Sequence, residues 1–367
     1  RIRNLDYFEK VDIERIPGSA PDKAVINLNV AEKSTGSLSV GVGYSTDVGP
    51  LGDITIKERN LLGRGQTLSL SFSLAAKQSQ ANVGFTEPYF LDREIAAGFD
   101  VFHTRSDLQD ASSFNTERTG FALRAGYPIT ERLRQRWRYS FELSKVENVS
   151  SNASALIKAQ EGENYISMLS HELAHDTTDS RITPTEGQRS SLKTDFAGLG
   201  GTVYFLRNTA NLVRYFPLAD EWILSTGGEV GYIVGLGEDV ALQHRYRLGG
   251  DNLRGFMTAG VGPRDRTTKD ALGGEWMYRG RAELLFPLGL PDELGLKGNF
   301  FSDFGSLGGV SPGGPTVFDS ASLRASAGAG VVWSSPFGPI SVDVGFPLLK
   351  EELDETEVLR VNFGARF

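Results

Sequence analysis

The chain has 367 residues, 43 of them glycine and none of them cysteine, which excludes a disulfide scaffold, a Cys-ligated zinc site and a thiol nucleophile. Its formal charge of -8, from 38 basic and 46 acidic side chains, disfavours nucleic acid as the main partner because phosphates would be repelled overall. No apolar run reaches the roughly 18 residues of a membrane helix, which leaves open a barrel whose strands hide their apolar face by alternation.

The first part of the chain has a pattern of its own. Leu5, Phe8 and Val11 have the spacing of a helix end, and a turn at Pro17-Gly18-Ser19 leads into a strand over residues 25–30. The chain starts without Met or an apolar signal segment, so we interpret this part as the remaining half of a truncated α+β module.

From residue 38 onward, the dominant signal has period two, as where Leu68, Leu70 and Phe72 alternate with serines. Such alternation places apolar residues on one face of a strand and small or polar residues on the other. The pattern predicts sixteen strands, at residues 38–46, 51–59, 66–75, 80–87, 93–104, 115–127, 134–147, 163–177, 188–198, 201–215, 222–236, 275–286, 294–305, 321–333, 339–346 and 357–367.

The connections between these strands differ in length. Those after the second, sixth, tenth, twelfth and fourteenth strands are short and turn-like, whereas several others are long, at residues 105–114, 148–162, 237–274, 306–320 and 347–356. Short turns on one rim and long loops on the other are typical of a transmembrane β-barrel. The prediction is a 16-stranded antiparallel barrel, an all-β membrane protein; a soluble sandwich is disfavoured by the many Gly and Ser opposite the apolar face.

One motif suggests an enzyme. His171-Glu172-Leu173-Ala174-His175 matches H-E-x-x-H, the zinc-protease pattern, which needs a helix to bring both histidines to one metal. The segment lies in the eighth predicted strand, where positions i and i+4 are about 13 Å apart. With no nucleotide-binding or nucleophile-elbow motif in the chain, we predict no metal site, no cofactor and no enzymatic activity.

Several longer motifs are spread over the whole chain in a fixed order. They are Asp6-Tyr7-Phe8-Glu9-Lys10-Val11, Glu32-Lys33-Ser34-Thr35-Gly36, Gly41-Val42-Gly43-Tyr44, Asn60-Leu61-Leu62-Gly63-Arg64-Gly65, Glu87-Pro88-Tyr89-Phe90, Pro184-Thr185-Glu186-Gly187, Gly249-Gly250-Asp251-Asn252-Leu253-Arg254-Gly255-Phe256, Phe301-Ser302-Asp303-Phe304-Gly305 and Ser334-Ser335-Pro336-Phe337-Gly338-Pro339. With these motifs the chain resembles the BamA family of outer-membrane protein assembly factors. Leu253-Arg254-Gly255-Phe256 matches that family's Val-Arg-Gly-Phe loop motif, with Leu in place of Val.

The resemblance implies an organisation and a function. Residues 1–33 would be the C-terminal part of a periplasmic POTRA domain, and residues 34–367 the barrel, with loop 237–274 folding into the lumen. The family folds and inserts β-barrel proteins into the bacterial outer membrane without ATP. Implied partners are client barrel proteins, outer-membrane lipids and accessory lipoproteins bound mainly through missing periplasmic domains, with the N-terminus in the periplasm. The alternative is a TamA-like or two-partner secretion translocase of the same superfamily.

The resemblance also implies a lock inside the lumen. The family pattern places Arg254, Gly255 and Phe256 there, with the arginine held by carboxylates of the wall. Strand parity puts Asp303 and Glu283 on polar faces and hence inward. Asp303 matches the family position directly, whereas the second family carboxylate could correspond to Leu285. Were the loop outside the barrel, Arg254 would be an ordinary solvated charge.

The first and last strands carry the implied mechanism, a lateral gate. Closing a barrel requires these two strands to pair, and an open junction exposes an edge that can template another strand. Glycine weakens a strand, so the glycines near this junction are either gate residues or simple space-fillers in a crowded lumen. The predicted gate residues are Gly41, Val42, Gly43, Tyr44, Val361, Phe363, Gly364 and Phe367.

Overall fold

The computed structural model describes residues 7–17, 19–20, 23–335 and 338–364. Sixteen antiparallel strands close into a barrel, as predicted. They are β3 (Gly36–Ser45), β4 (Gly49–Leu61), β5 (Gln66–Ala75), β6 (Gln78–Glu87), β7 (Ala96–Asp107), β8 (Asn115–Pro128), β9 (Leu133–Glu147), β10 (Gly162–Asp176), β11 (Gly187–Gly201), β12 (Phe205–Ala219), β13 (Trp222–Gly235), β16 (Trp276–Pro287), β17 (Leu296–Gly308), β19 (Arg324–Ser335), β20 (Gly338–Leu349) and β22 (Leu359–Phe363).

The remaining strands form three small two-stranded sheets that are not part of the barrel wall. They are β1 (Phe8–Pro17) with β2 (Ala24–Glu32), β14 (Gly255–Phe256) with β21 (Thr356–Glu357), and β15 (Arg264–Asp265) with β18 (Val317–Phe318). The α-helices are single turns, α1 (Gln109–Ser112) and α2 (Ala155–Lys158). In the described part of the chain, no helix combines the length and the apolar character needed to cross a membrane.

The helix predicted near the N-terminus is wrong, because Phe8 and Val11 lie in strand β1. The cause is cross-strand pairing: Val11 faces Val30, and Ile13 faces Leu28 on β2. β-Branched and aliphatic residues stabilise such pairs more than they stabilise a short helix. The strand predicted over residues 25–30 is confirmed within β2, whereas Leu5 and Gly18 lie outside the described residues.

Each barrel strand runs on to its neighbour in the chain through a hairpin or loop, and β22 closes the ring against β3. We call this junction the seam. The barrel end at which β3 begins, next to the N-terminal hairpin, is the near rim, and the opposite end is the far rim. Because strands alternate in direction, the long loop between β13 and β16 emerges at the far rim.

The two faces of the wall differ as the alternation predicts. Outward residues form an exposed apolar band, in which Leu38 and Val40 keep 68% and 69% of their surface accessible. Exposed apolar surface of this extent marks contact with lipid. The buried core lies inside the lumen, as three apolar clusters that join the loop between β13 and β16 to the wall. Their central residues include Leu242, Val240 and Phe256.

The H-E-x-x-H segment lies in β10, which confirms its placement in a strand. The His171 ring contacts the Trp137 ring at 4.4 Å between centroids, and its Nε2 lies 2.9 Å from Gln135. Among the described residues, no group of three or more His, Asp or Glu side chains is arranged to hold a metal ion.

Candidate functional site: the lumen lock and the seam

Arg254 occupies the lumen, held on the inner wall by two strands. Its Nε and Nη2 donate to both carboxylate oxygens of Asp303 on β17, at 2.8 and 3.0 Å. Its Nη1 donates to Glu283 on β16 at 2.7 Å. The structure therefore brings together the loop arginine and both carboxylates that parity placed inward. We call these three residues the lumen lock.

The surroundings of the lock are nearly dry, since the Arg254 side chain is 6% exposed and that of Asp303 is 0% exposed. Burial by itself would lower the pKa of Arg254, but the hydrogen bond to Asp303 and the neighbouring carboxylate charges raise it above its ordinary value. The guanidinium thus stays charged. A planar, permanently charged fork engages a carboxylate at two points, which a lysine in the same place could not do.

Further contacts around the lock were not predicted from the sequence. The Arg254 guanidinium carbon lies 3.6 Å from the centre of the Phe301 ring, a close cation–π contact. Arg281 donates from Nε to Asp303 at 3.2 Å, and Asp343 lies 3.8 Å from Arg254. Strand alternation could have found Phe301, since it shares the inward face of Asp303.

Gly255 and Phe256 continue the loop as strand β14 and pair with Thr356–Glu357 near the start of the last strand. Phe256 is fully buried in an apolar cluster with Leu248, Leu253 and Leu307. The loop motif thus combines a charged anchor on the wall with an apolar anchor in the cluster. Because this pairing lies next to β22, the loop is attached to the seam as well as to strands β16 and β17 of the wall.

A second polar cluster bridges the seam at the far rim. Arg360 on β22 donates to Asp47, in the turn after β3, at 2.6 Å and to Asp251 of the long loop at 3.3 Å. Thr258 of the same loop also donates to Asp47. Burial would raise the pKa of Asp47, but the Thr258 hydrogen bond and the Arg360 charge lower it below its ordinary value. This far-rim cluster joins both seam strands to the loop.

His244 lies in the long loop between β13 and β16. Its ring lies 5.0 Å from that of Phe205 on β12. Burial lowers the pKa of His244 to about 3, and the charge of Arg207 contributes in the same direction. His244 is therefore neutral near pH 7 and packs as an apolar ring.

Between the described residues, the seam has fewer pairs than the junctions on either side of it, β20–β22 and β3–β4. Only Asn362 opposite Ser45 and Phe363 opposite Tyr44 are paired between the described residues of β22 and β3. The next junction, between β3 and β4, pairs ten residues from Gly36 to Ser45. In the described part of the chain, Gly43 lies against Phe363 and Gly364, and β3 keeps an unpaired edge from Gly36 to Val42.

The predicted gate residues lie on both sides of the seam. Val42 and Tyr44 belong to the exposed apolar face of β3. Val361 is the last-strand residue whose carbonyl accepts from the Thr46 amide at 3.1 Å. Gly364 follows β22 with a φ of +113°, a backbone conformation that suits glycine. Phe367 lies outside the described residues.

Gly43 makes the closest backbone approach across the seam. A Cβ there would run into the carbonyl oxygen of Phe363 and would lie 3.3 Å from the Gly364 Cα. We therefore expect Gly43→Ala to push the seam apart and to speed hydrogen–deuterium exchange of the Thr46 amide by about tenfold, since overpacking costs at least about 1 kcal/mol. Gly52→Ala on β4 is the control, because its Cβ would have 3.8 Å to the nearest atom. Equal exchange in both variants would contradict the prediction.

A sixteen-stranded barrel with an apolar outer band, a loop locked inside the lumen and a short seam defines a class of outer-membrane-type β-barrel proteins. Residues 60–367 match the model of the Omp85 superfamily domain. The chain belongs to the Omp85 superfamily.

The chain is similar to named proteins of this superfamily. It is 33% identical over 371 residues to the outer membrane protein assembly factor BamA of Neorickettsia risticii, covering 100% of this chain and 50% of that protein. It is 31% identical over 355 residues to BamA of Nitratidesulfovibrio vulgaris, covering 95% and 44%. The crystal structure of Haemophilus ducreyi BamA lacking POTRA domains 1–3 superposes with a TM-score of 0.88 at 23% identity, over 99% of this chain and 76% of that one. The chain spans about half the length of the curated relatives it matches.

Proposed function

We propose that this chain is the membrane barrel of an outer-membrane protein assembly factor, which folds other β-barrel proteins and inserts them through a lateral gate at the seam. The observation that carries the proposal is the seam itself, where the described residues form two paired positions beside a junction with ten. An unpaired strand edge is a template for another strand. In this mechanism a strand of the client protein pairs with the unpaired edge of β3, first from Gly36 to Val42.

The reaction needs no ATP in this proposal. A client strand that pairs with β3 satisfies backbone groups that would be costly to leave unpaired in lipid. The client's outward face then passes into the bilayer, and burial of apolar surface there is favourable. Both sources of free energy come from the client's own folding, so the chain acts as a template and not as an enzyme.

The proposal also assigns partners and location. The protein lies in the bacterial outer membrane, and its relatives are named as assembly factors. The N-terminal hairpin of β1 and β2 points to the periplasm as the remainder of a POTRA domain, and accessory lipoproteins bind mainly through further periplasmic domains. Outer-membrane lipids contact the exposed apolar band. In this proposal the protein thins the bilayer locally beside the seam, where the two strands have few pairs.

The test is the folding of an unrelated β-barrel protein into liposomes. We expect the client to reach its folded, heat-resistant gel mobility several-fold faster in liposomes that contain this chain than in liposomes that contain a porin. Equal rates in the two preparations would contradict the proposal. Client found folded inside the vesicles, and not in their membrane, would indicate a secretion translocase in its place.

A further inference from the structure

Two adjoining cavities lie on the inner wall between β8 and β11, towards the near rim. Their volumes are about 520 Å³ and about 570 Å³, and they share Arg134 and Arg136 of strand β9. Eight cationic side chains and four carboxylates line them together. The chain as a whole carries a charge of -8, so this region has the opposite sign to the molecule. We call it the basic arc.

Part of this positive charge is balanced by carboxylates of the wall. Arg124 and Arg138 share the single carboxylate of Asp100, at 3.0 and 2.9 Å. Arg136 lies 3.2 Å from Glu172. Because Asp100 carries one negative charge for the two guanidinium groups of Arg124 and Arg138, this part of the arc keeps a net positive charge even where ion pairs form.

Three further arginines are not balanced. Within the described residues, no carboxylate lies within ion-pair distance of Arg132, Arg134 or Arg181, and their side chains make no hydrogen bond. Arg132 and Arg181 lie in the near-rim turns after β8 and β10, and all three line the second cavity. Five arginines and two carboxylates line this cavity. An excess of cationic groups creates a positive potential, and low-dielectric walls focus it on the cavity.

The spacing of the arc matches an extended polypeptide. Arg134, Arg136 and Arg138 occupy alternate positions of one strand and alternate with Gln135 and Trp137. Alternate positions of a strand are about 6.7 Å apart, the same repeat as the side chains on one face of an extended peptide. The two joined cavities are also much larger than a single phosphate group needs. The second is lined by polar side chains of the wall and the near-rim turns, whereas the first also reaches Tyr127 and Trp137 of the outward face.

We propose that the basic arc is a binding site for extended polypeptide segments that carry Asp or Glu at alternate positions. The carboxylates of the segment would pair with Arg134 and with the two near-rim arginines, Arg132 and Arg181. Guanidinium groups bind carboxylates at two points, and Arg132 and Arg134 are two positions apart, so such a segment would be held in register at the near-rim end of β9. The site lies across the lumen from the seam and is separate from the lumen lock.

The test is the binding of a fluorescein-labelled peptide of alternating aspartate and threonine to the whole chain in detergent micelles, measured by fluorescence anisotropy. We expect Arg134→Gln/Arg181→Gln to raise the Kd about tenfold, since two partly screened ion pairs are lost. The same peptide with asparagine in place of aspartate should not bind. Arg134→Glu/Arg181→Glu should instead bind a peptide of alternating lysine and threonine.

The matched control is Lys158→Gln/Lys350→Gln, which removes two exposed cations from far-rim loops and should leave the Kd unchanged. Folding of every variant is checked by heat-dependent gel mobility. An equal Kd in the arginine and lysine double variants overturns the proposal. Displacement of the peptide by inorganic phosphate below the peptide's own Kd also overturns it, because the arc would then be a phosphate site. Peptide binding needs no assembly reaction, so failure here leaves the proposed assembly function standing.

Discussion

Replacing Arg254 with methionine is expected to lower the free energy of unfolding by about 3 kcal/mol, because removing one partner of a buried ion pair leaves the other charge uncompensated. The charge left behind is that of Asp303, which is fully buried and would keep the ion pair with Arg281 and the hydrogen bond from the backbone amide of residue 254. Glu283 would lose its hydrogen bond as well. The measurement is urea unfolding of the barrel in lipid vesicles, followed by the gel mobility of unheated samples.

Two controls separate the lock from a general effect of losing an arginine. Arg266 lies in the same loop but is exposed and contacts only the Phe318 ring, at 4.6 Å. Arg266→Met should therefore cost less than about 1 kcal/mol. In Asp303→Asn, the further change Arg254→Met should cost clearly less than in the parent chain, because the buried charge is already gone. Equal losses for Arg254→Met and Arg266→Met would show that the lock does not stabilise the barrel.

Locking the seam covalently is expected to abolish assembly activity. Tyr44 and Phe363 are directly paired across the seam, and paired strand positions have the Cα separation that a disulfide requires. The chain contains no cysteine, so Tyr44→Cys/Phe363→Cys adds the only pair. Oxidised protein should fold the client in liposomes no faster than a porin does, and reduction should restore the rate. In the proposed mechanism the client strand pairs with the whole of β3 and then passes into the bilayer, which requires Tyr44 and Ser45 to separate from β22.

The control for the seam disulfide is a disulfide between two neighbouring strands that do not separate in the proposed mechanism. Ile54 on β4 faces Phe72 on β5, and both side chains belong to the exposed apolar face. Ile54→Cys/Phe72→Cys should keep full activity when oxidised. Full activity in the oxidised seam variant, with crosslinking shown to be complete, would remove the lateral gate from the mechanism.

The strands were predictable because their signal is local. An apolar residue at every second position needs no knowledge of the partner strand, and no predicted barrel boundary differs from the structure by more than four residues, as at Phe205, where residue 201 was predicted. The prediction of an N-terminal helix was wrong because the conformation there depends on a partner strand and not on the local pattern alone. Phe8 and Val11 are three positions apart, which matches a helix and not a regular strand. In the structure the pairing with β2 determines the conformation, and the register shifts between Phe8 and Lys10.

The site was predictable only in part. Parity places Asp303 and Glu283 inward, and the structure puts both beside Arg254. The additional contact of Arg281 with Asp303 depends on the register between β16 and β17, which alternation does not specify. The far-rim cluster could not be predicted from the sequence, because Arg360 and Asp47 are 313 residues apart in the chain and meet only when the barrel closes.

The three apolar clusters that fix the long loop have a consequence for permeability. They join the loop to the wall at several points, including Leu242, Phe205 and Leu307. Apolar contacts of this kind exclude water, so ions entering the lumen from the near rim meet a dry barrier before the medium. In the mechanism proposed above, parting of the seam would therefore connect the lumen with the bilayer at its side, and client proteins would enter the membrane without an ionic leak along the barrel axis.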